Sequence, residues 1–267
     1  MSKKLQFVDE IIEAEVKDFS EQFLRDYSDK GKKASNIVDK ENNIFIAALG
    51  KDVVLYSALM RSLDSSLGNR IEKIAKLIAE KNYFVKQEVV GYISQDSISA
   101  IASLLESYKN RIKKPEEKDV ELIYREDDKS KKLKRHFSDY YLILKSDPSQ
   151  KFLVELKIGG DLDSKKARSE KEALLEQYVI LRNSKDIKPG DKVKIFFCTA
   201  YNKYGEGKYW KQERVRQFFS NNEIKVGKDF WNLFCNSPHG YKVVKASYLK
   251  HVHYLKDALK KIIAHYS

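Results

Sequence analysis

Phe152-Leu153-Val154-Glu155-Leu156-Lys157, running on into Gly159-Gly160-Asp161, is an apolar stretch that carries opposite charges two residues apart near its end. Side chains of a strand alternate between its faces, so a strand here points Glu155 and Lys157 to the same side. An earlier stretch, Ser138-Asp139-Tyr140-Tyr141-Leu142-Ile143-Leu144, is equally apolar, and Lys145-Ser146-Asp147-Pro148-Ser149-Gln150 between the two has the composition of a turn. Together they predict an antiparallel hairpin. A turn centred near Pro148 sets Asp139 opposite Lys157, on the face that also carries Glu155.

Two carboxylates and an ammonium on one face are what hydrolysis of a phosphodiester needs: charge neutralisation, an activated water and in-line placement. Hard oxygen ligands suit Mg²⁺, which takes one or two carboxylates from a protein and keeps several waters, so Asp139 and Glu155 are the expected metal ligands. Lys157 then faces the attacking water or the scissile phosphate. Glycines directly after the strand allow close approach of a substrate to the backbone. Glu-x-Lys by itself is a weak signal, because the chain is 34% charged and holds five copies, at Glu15, Glu116, Glu155, Glu206 and Glu223. Glu116-Glu117-Lys118 even follows Pro115, but it lies in a polar run with no strand to hold it. Only the copy at Glu155 has an apolar strand, a partner acid and trailing glycines.

Length and composition narrow the class. A chain of 267 residues with 42% hydrophobic and 12% aromatic content buries a sizeable core and is not disordered. Fifty-one Lys and Arg against thirty-nine Asp and Glu give a net charge of +12, which favours a polyanionic partner. The two cysteines, Cys198 and Cys235, sit far apart in apolar surroundings and read as reduced core residues. Cys235, His239, His251 and His253 have spacings that match no standard zinc site. The opening Met1-Ser2-Lys3-Lys4-Leu5-Gln6 has no signal-peptide character and no long apolar run occurs, so a cytoplasmic protein with no membrane association is expected.

Helical spacing covers residues 5 to 27, about 53 to 62, from a cap at Ser65 or Ser66 to about 81, and 96 to 111, with a further apolar run over 44 to 50. Strand patterning takes over at 120 to 124, in the two hairpin strands and at 193 to 199, with a crossover helix over 164 to 181. The C-terminal third is expected to be helical, over 209 to 219, 228 to 234 and 246 to 266. The prediction is an α/β fold, with a mixed central sheet flanked by helices. One domain is expected over 1–267: a mostly helical part over 1–112, a sheet core over 119–200 and a helical part over 201–267.

Contacts to a polyanion have candidates too. Lys165, Lys166 and Arg168 combine positive charge with the start of the crossover helix. Asn202, Lys203, Gln212, Arg214 and Arg216 carry the donors suited to base edges in a major groove. Trp210, Phe218, Phe219 and Trp231 have apolar neighbours and read as core rather than as stacking platforms.

Three blocks carry a resemblance: Glu155-Leu156-Lys157 through Glu176-Gln177-Tyr178, Ser62-Leu63-Asp64-Ser65-Ser66-Leu67-Gly68-Asn69-Arg70-Ile71-Glu72-Lys73-Ile74-Ala75, and Thr199-Ala200-Tyr201-Asn202 through Phe219. They resemble type II restriction endonucleases of the PD-(D/E)xK superfamily, the TdeIII group above all, over about residues 55 to 235. The chain departs from the superfamily formula in having Ser138 where a proline would precede Asp139. The resemblance implies Mg²⁺-dependent, sequence-specific cleavage of double-stranded DNA at a short GC-rich palindrome, leaving 5′-phosphates. It implies a role for Glu72, which matches the helical glutamate that the superfamily often adds to its metal site. A palindrome has two-fold symmetry, so a homodimer is expected, as is a partner DNA methyltransferase that protects the host. A repair or recombination nuclease, an RNA nuclease and a non-catalytic nucleic-acid-binding protein are the competing classes.

Overall fold

The computed structural model describes residues 5–28, 31–124, 131–159, 162–184 and 186–266. The chain packs as two compact units, Met1–Ile78 with His239–Ser267, and Ala79–Pro238. No helix among the described residues is long and apolar enough to cross a membrane.

The first unit is helical. Helix α1 (Gln6–Asp26) lines up Val8, Ile12, Val16, Phe19 and Phe23 on one side, the spacing of a stripe on a helix. It packs on α9 (Gly240–His251) and α10 (His253–Tyr266). Two short helices, α2 (Ser35–Glu41) and α3 (Ile44–Ala47), lead to the long α4 (Lys51–Asn82), whose last turn belongs to the second unit. Val54, Leu55, Ala58 and Leu59 of α4 join Phe19, Phe23, Tyr27, Leu255 and Ile262 in one core. Arg70 of α4 pairs with both Glu15 and Asp18 of α1, the latter at 2.7 Å.

The second unit is a five-stranded sheet of order β1-β2-β3-β4-β5, formed by Tyr83–Ser94, Lys131–Leu144, Gln150–Leu156, Lys192–Thr199 and Ile224–Val226. The β1/β2 and β2/β3 pairs are antiparallel and the β3/β4 and β4/β5 pairs parallel, which makes the sheet mixed as expected. The crossover from β3 to β4 is α6 (Ser164–Asn183), and α5 (Gln95–Lys109) shares its side of the sheet. Leu153, Tyr141 and Phe197 point into that layer against Leu174, Tyr178, Ile101 and Leu105. On the opposite face Phe152 stacks on Phe196, and Tyr140 meets Phe234 of α8 (Lys228–Phe234) edge-on. Trp210, Phe218, Phe219 and Trp231 are buried, as are the thiols of Cys198 and Cys235.

Several local expectations are corrected. The two helices expected over 53 to 62 and 65 to 81 are one. Ser65 and Ser66 cap nothing, and Ser66 instead accepts a 2.7 Å bond from Lys33. Residues 120 to 124 do not form a strand. Asp119 is engaged by the Tyr108 hydroxyl, the Lys113 ammonium and the Glu116 N–H, and this winds Glu117–Glu121 into a 3-10 turn. Residues 209 to 219 hold only the single-turn α7 (Glu213–Arg216), because the Arg216 guanidinium bonds to the Trp210 carbonyl and holds that end as a loop. The helix expected over 246 to 266 is α9 followed by α10, and it starts earlier, at Gly240. The run 44 to 50 gives the four-residue α3 and a turn. Two strands lay outside the expectation. β1 occupies part of the region read as helical, and β5 is three residues long and exists through its pairing with β4.

Candidate active site

β3 is buried along nearly its whole length between the two layers, and Glu155 is only 6% exposed within it. The strand's hydrogen bonding continues past its end, with the Lys157 N–H donating to the Cys198 carbonyl at 2.9 Å, so Lys157 keeps the orientation set by β4. The antiparallel register pairs Tyr140 with Val154 and Ile143 with Lys151. Continued by one residue, it sets Asp139 opposite Glu155 rather than opposite Lys157. The expected register is thus off by two residues, because Asp147 closes the turn: its carbonyl and carboxylate take the Gln150 N–H and the Ser149 N–H and hydroxyl. A shift of two keeps the face, so the three side chains still converge.

Asp139 reaches that face through an irregularity in β2. Lys86 pairs with Tyr141 and Glu88 with Phe137, so Gln87 alone faces residues 138–140. Before this bulge His136 and Lys134 point at Glu176 of α6; after it Tyr141 points into the α6 layer. The alternation of β2 therefore flips at the bulge, a device that re-aims side chains beside functional sites. The Asp139 carboxylate accepts the Leu156 N–H at 2.7 Å.

Lys157 Nζ lies 2.5 Å from Glu155 and 3.2 Å from Glu170, a residue of α6. Burial, then the charge of Asp139 and also that of Glu170, push the Glu155 carboxyl up to about 8, against the pull of Lys157. Burial alone lowers the affinity of Lys157 for its proton, but Glu155, Glu170 and Asp139 outweigh it and hold the ammonium above the usual lysine range. Three carboxylates around one cation leave an excess of negative charge in a half-buried place, a donor set suited to a divalent cation. Gly159 follows closely, and a Cβ there would come within 3.1 Å of the Tyr201 hydroxyl. Gly160 and Asp161 lie outside the described residues.

Glu170 was not among the expected site residues. Its signal is positional: it falls three after Ala167 and four before Leu174, both fully buried, so it shares the stripe that α6 turns to the sheet. Glu72 lies on α4 in the first unit. That unit also holds Asp9, Glu13 and His251, whose ligand atoms lie within 4.8 Å of one another; Lys250 Nζ is 2.8 Å from Asp9.

The expected nucleic-acid contacts divide. Lys165 and Lys166 are exposed at the start of α6, whose N-terminus is capped by the Asp163 carboxylate through a 2.8 Å bond from the Lys166 N–H. Lys203 and Arg214 are exposed as well. Arg168 pairs with Glu106 at 3.1 Å. Asn202 closes its own loop, bonding the Lys208 carbonyl and the Tyr204 N–H. Gln212 is buried and donates to the Tyr204 hydroxyl, and Arg216 stacks on Tyr209 while bonding Trp210 and Asn221.

The sequence matches the family model described as type II restriction endonuclease, HinfI, over residues 6–251. The match names HinfI and does not extend to the TdeIII grouping. No curated protein and no solved structure gives a significant match.

Proposed function

Because the chain belongs to the HinfI family of type II restriction endonucleases, and is thereby a site-specific deoxyribonuclease, we propose that Asp139, Glu155 and Lys157, with Glu170, form its phosphodiesterase centre. The observation that supports this is the convergence of the β2 bulge, the end of β3 and the buried side of α6 on one excess of negative charge. Such a cluster is costly to keep for stability alone, and strongly shifted carboxyls concentrate at functional sites.

Asp139 and Glu155 would hold Mg²⁺, which would supply charge neutralisation at the scissile phosphate and activation of the attacking water. Asp139 is oriented by the Leu156 N–H, so its carboxylate is fixed before substrate arrives. Lys157, drawn between Glu155 and Glu170, presents its ammonium where negative charge builds on the phosphate oxygens. Water forms the new bond to phosphorus, the bond to the 3′-oxygen breaks, and the products are a 3′-hydroxyl and a 5′-phosphate. The target is a short, GC-rich palindrome, read by a homodimer with one centre per strand, and a cognate DNA methyltransferase protects the host's own copies. Lys165, Lys166, Lys203 and Arg214 contact the DNA. Arg168, Asn202, Gln212 and Arg216 take part after exchanging contacts within the chain for contacts to DNA.

Digesting a plasmid of known sequence with Mg²⁺ tests this reading: discrete bands with 5′-phosphate ends are expected. Lys157→Ala is expected to lower the cleavage rate at least about a hundredfold while leaving DNA binding within a few-fold of the parent. Full cleavage by that variant overturns the assignment of the centre.

A further inference from the structure

The N-terminal half of α4 is apolar on two opposite sides. Its inner side, Val54, Leu55, Ala58 and Leu59, is consumed by the core of the first unit. At about 3.6 residues per turn, Val53, Tyr56 and Met60 form a second stripe on the other side, and it is open to solvent at 41%, 47% and 45%. Three more exposed apolar side chains precede it in the chain, Phe45 (79%) and Ile44 (72%) on α3 and Leu49 (66%) in the turn before α4. On α4 itself Val53, Tyr56 and Met60 are spaced three and four, the spacing at which residues share one helix face. Apolar side chains grouped on a surface mark an interaction site, and nothing among the described residues covers this side of α4.

We infer that this stripe is the surface on which two copies of the chain associate. The inference rests on the two-copy reading above, since a cut through both strands of a palindrome calls for two centres. A stripe along one helix can pack on its own symmetry mate, as a two-fold interface requires. Together with the three exposed apolar residues on α3 and its turn, the stripe exposes on the order of 700 Å², close to the roughly 800 Å² per partner of a standard stable interface. Exposed charges of both signs flank it on α4, Lys51, Asp52, Arg61 and Asp64, so a copy can meet its mate without stacking like charges.

The test uses the full chain. Tyr56→Glu with Met60→Glu, two exposed positions whose change leaves the core intact, is expected to raise the dimer dissociation constant at least about a hundredfold in sedimentation velocity. It should also convert double-strand cutting of dilute plasmid into nicking. If the parent is a dimer and the double variant remains one, the copies meet elsewhere and this surface is wrong while the two-copy reading stands. If the parent is monomeric with and without target DNA, both fall, and discrete plasmid bands would still support the nuclease centre.

Discussion

In the proposed centre Glu155 is the residue on which the chemistry turns, because its surroundings punish the charge that the proposed role requires. It is buried, it faces Asp139, and Lys157 offsets the two. Glu170 tightens this arrangement by holding Lys157 from the helix side at 3.2 Å. Glu170→Gln is therefore expected to lower kcat about tenfold or more, since the ammonium loses one of the two anions that position it, with KM for DNA changed less than about threefold. Steady-state kinetics on a target oligonucleotide decide this, and an unchanged kcat removes Glu170 from the centre. Asp139, Glu155 and Lys157 were legible in sequence because two short apolar runs fix which way they point. Glu170 was not, since α6 also carries Glu172 and Glu176 and only its rotation against the sheet selects among them.

At the level of elements, the bulge in β2 and its tie to α6 hold the site in place. Lys134 and His136, just before the bulge, reach Glu176 at 2.5 and 2.8 Å. Burial alone would raise the Glu176 carboxyl, but the bonds from His136 and Lys134 prevail and hold it below its ordinary value of 4.5. A carboxyl lowered on folding contributes stability above its ordinary value, and that stability is lost as the pH falls below it. Glu176→Gln is accordingly expected to cost about 1–3 kcal/mol at pH 7 and progressively less in acid, where the parent is protonated too. Denaturant unfolding of both proteins across pH 3 to 7 checks it, and a loss independent of pH refutes the ion-pair account. The hairpin itself was legible, but its register was not, because the turn is set by Asp147 and the side-chain facing by the bulge. β1 escaped notice because Lys86-Gln87-Glu88 and Gly91 interrupt its apolar pattern, and Gly91 is where the Ile180 side chain of α6 comes close.

On the scale of the whole molecule, a net charge of +12 bears on how DNA is engaged. Charge of this kind binds by releasing counterions, so affinity should fall steeply with salt, by about a thousandfold or more between 50 and 200 mM for a protein making six or more phosphate contacts. Lys165→Ala and Lys166→Ala are each expected to reduce the slope of log affinity against log salt by about one, uniformly across DNA sequences. Fluorescence anisotropy over a salt series measures it, and an unchanged slope places the phosphates elsewhere.

By itself the sequence determined the α/β class, the helices α1, α5, α6 and α8, the β2/β3 hairpin, and the face shared by Asp139, Glu155 and Lys157. These follow from local periodicity and turn chemistry, which need no distant partner. The tertiary structure alone decided the joining of α4 into one helix, the short β5, the facing of Asp139 across the bulge, the approach of Glu170 to Lys157, and the second, uncovered stripe on α4. Each of these depends on what a residue meets from another element, and burial, pairing and charge proximity are properties of that meeting rather than of the residue.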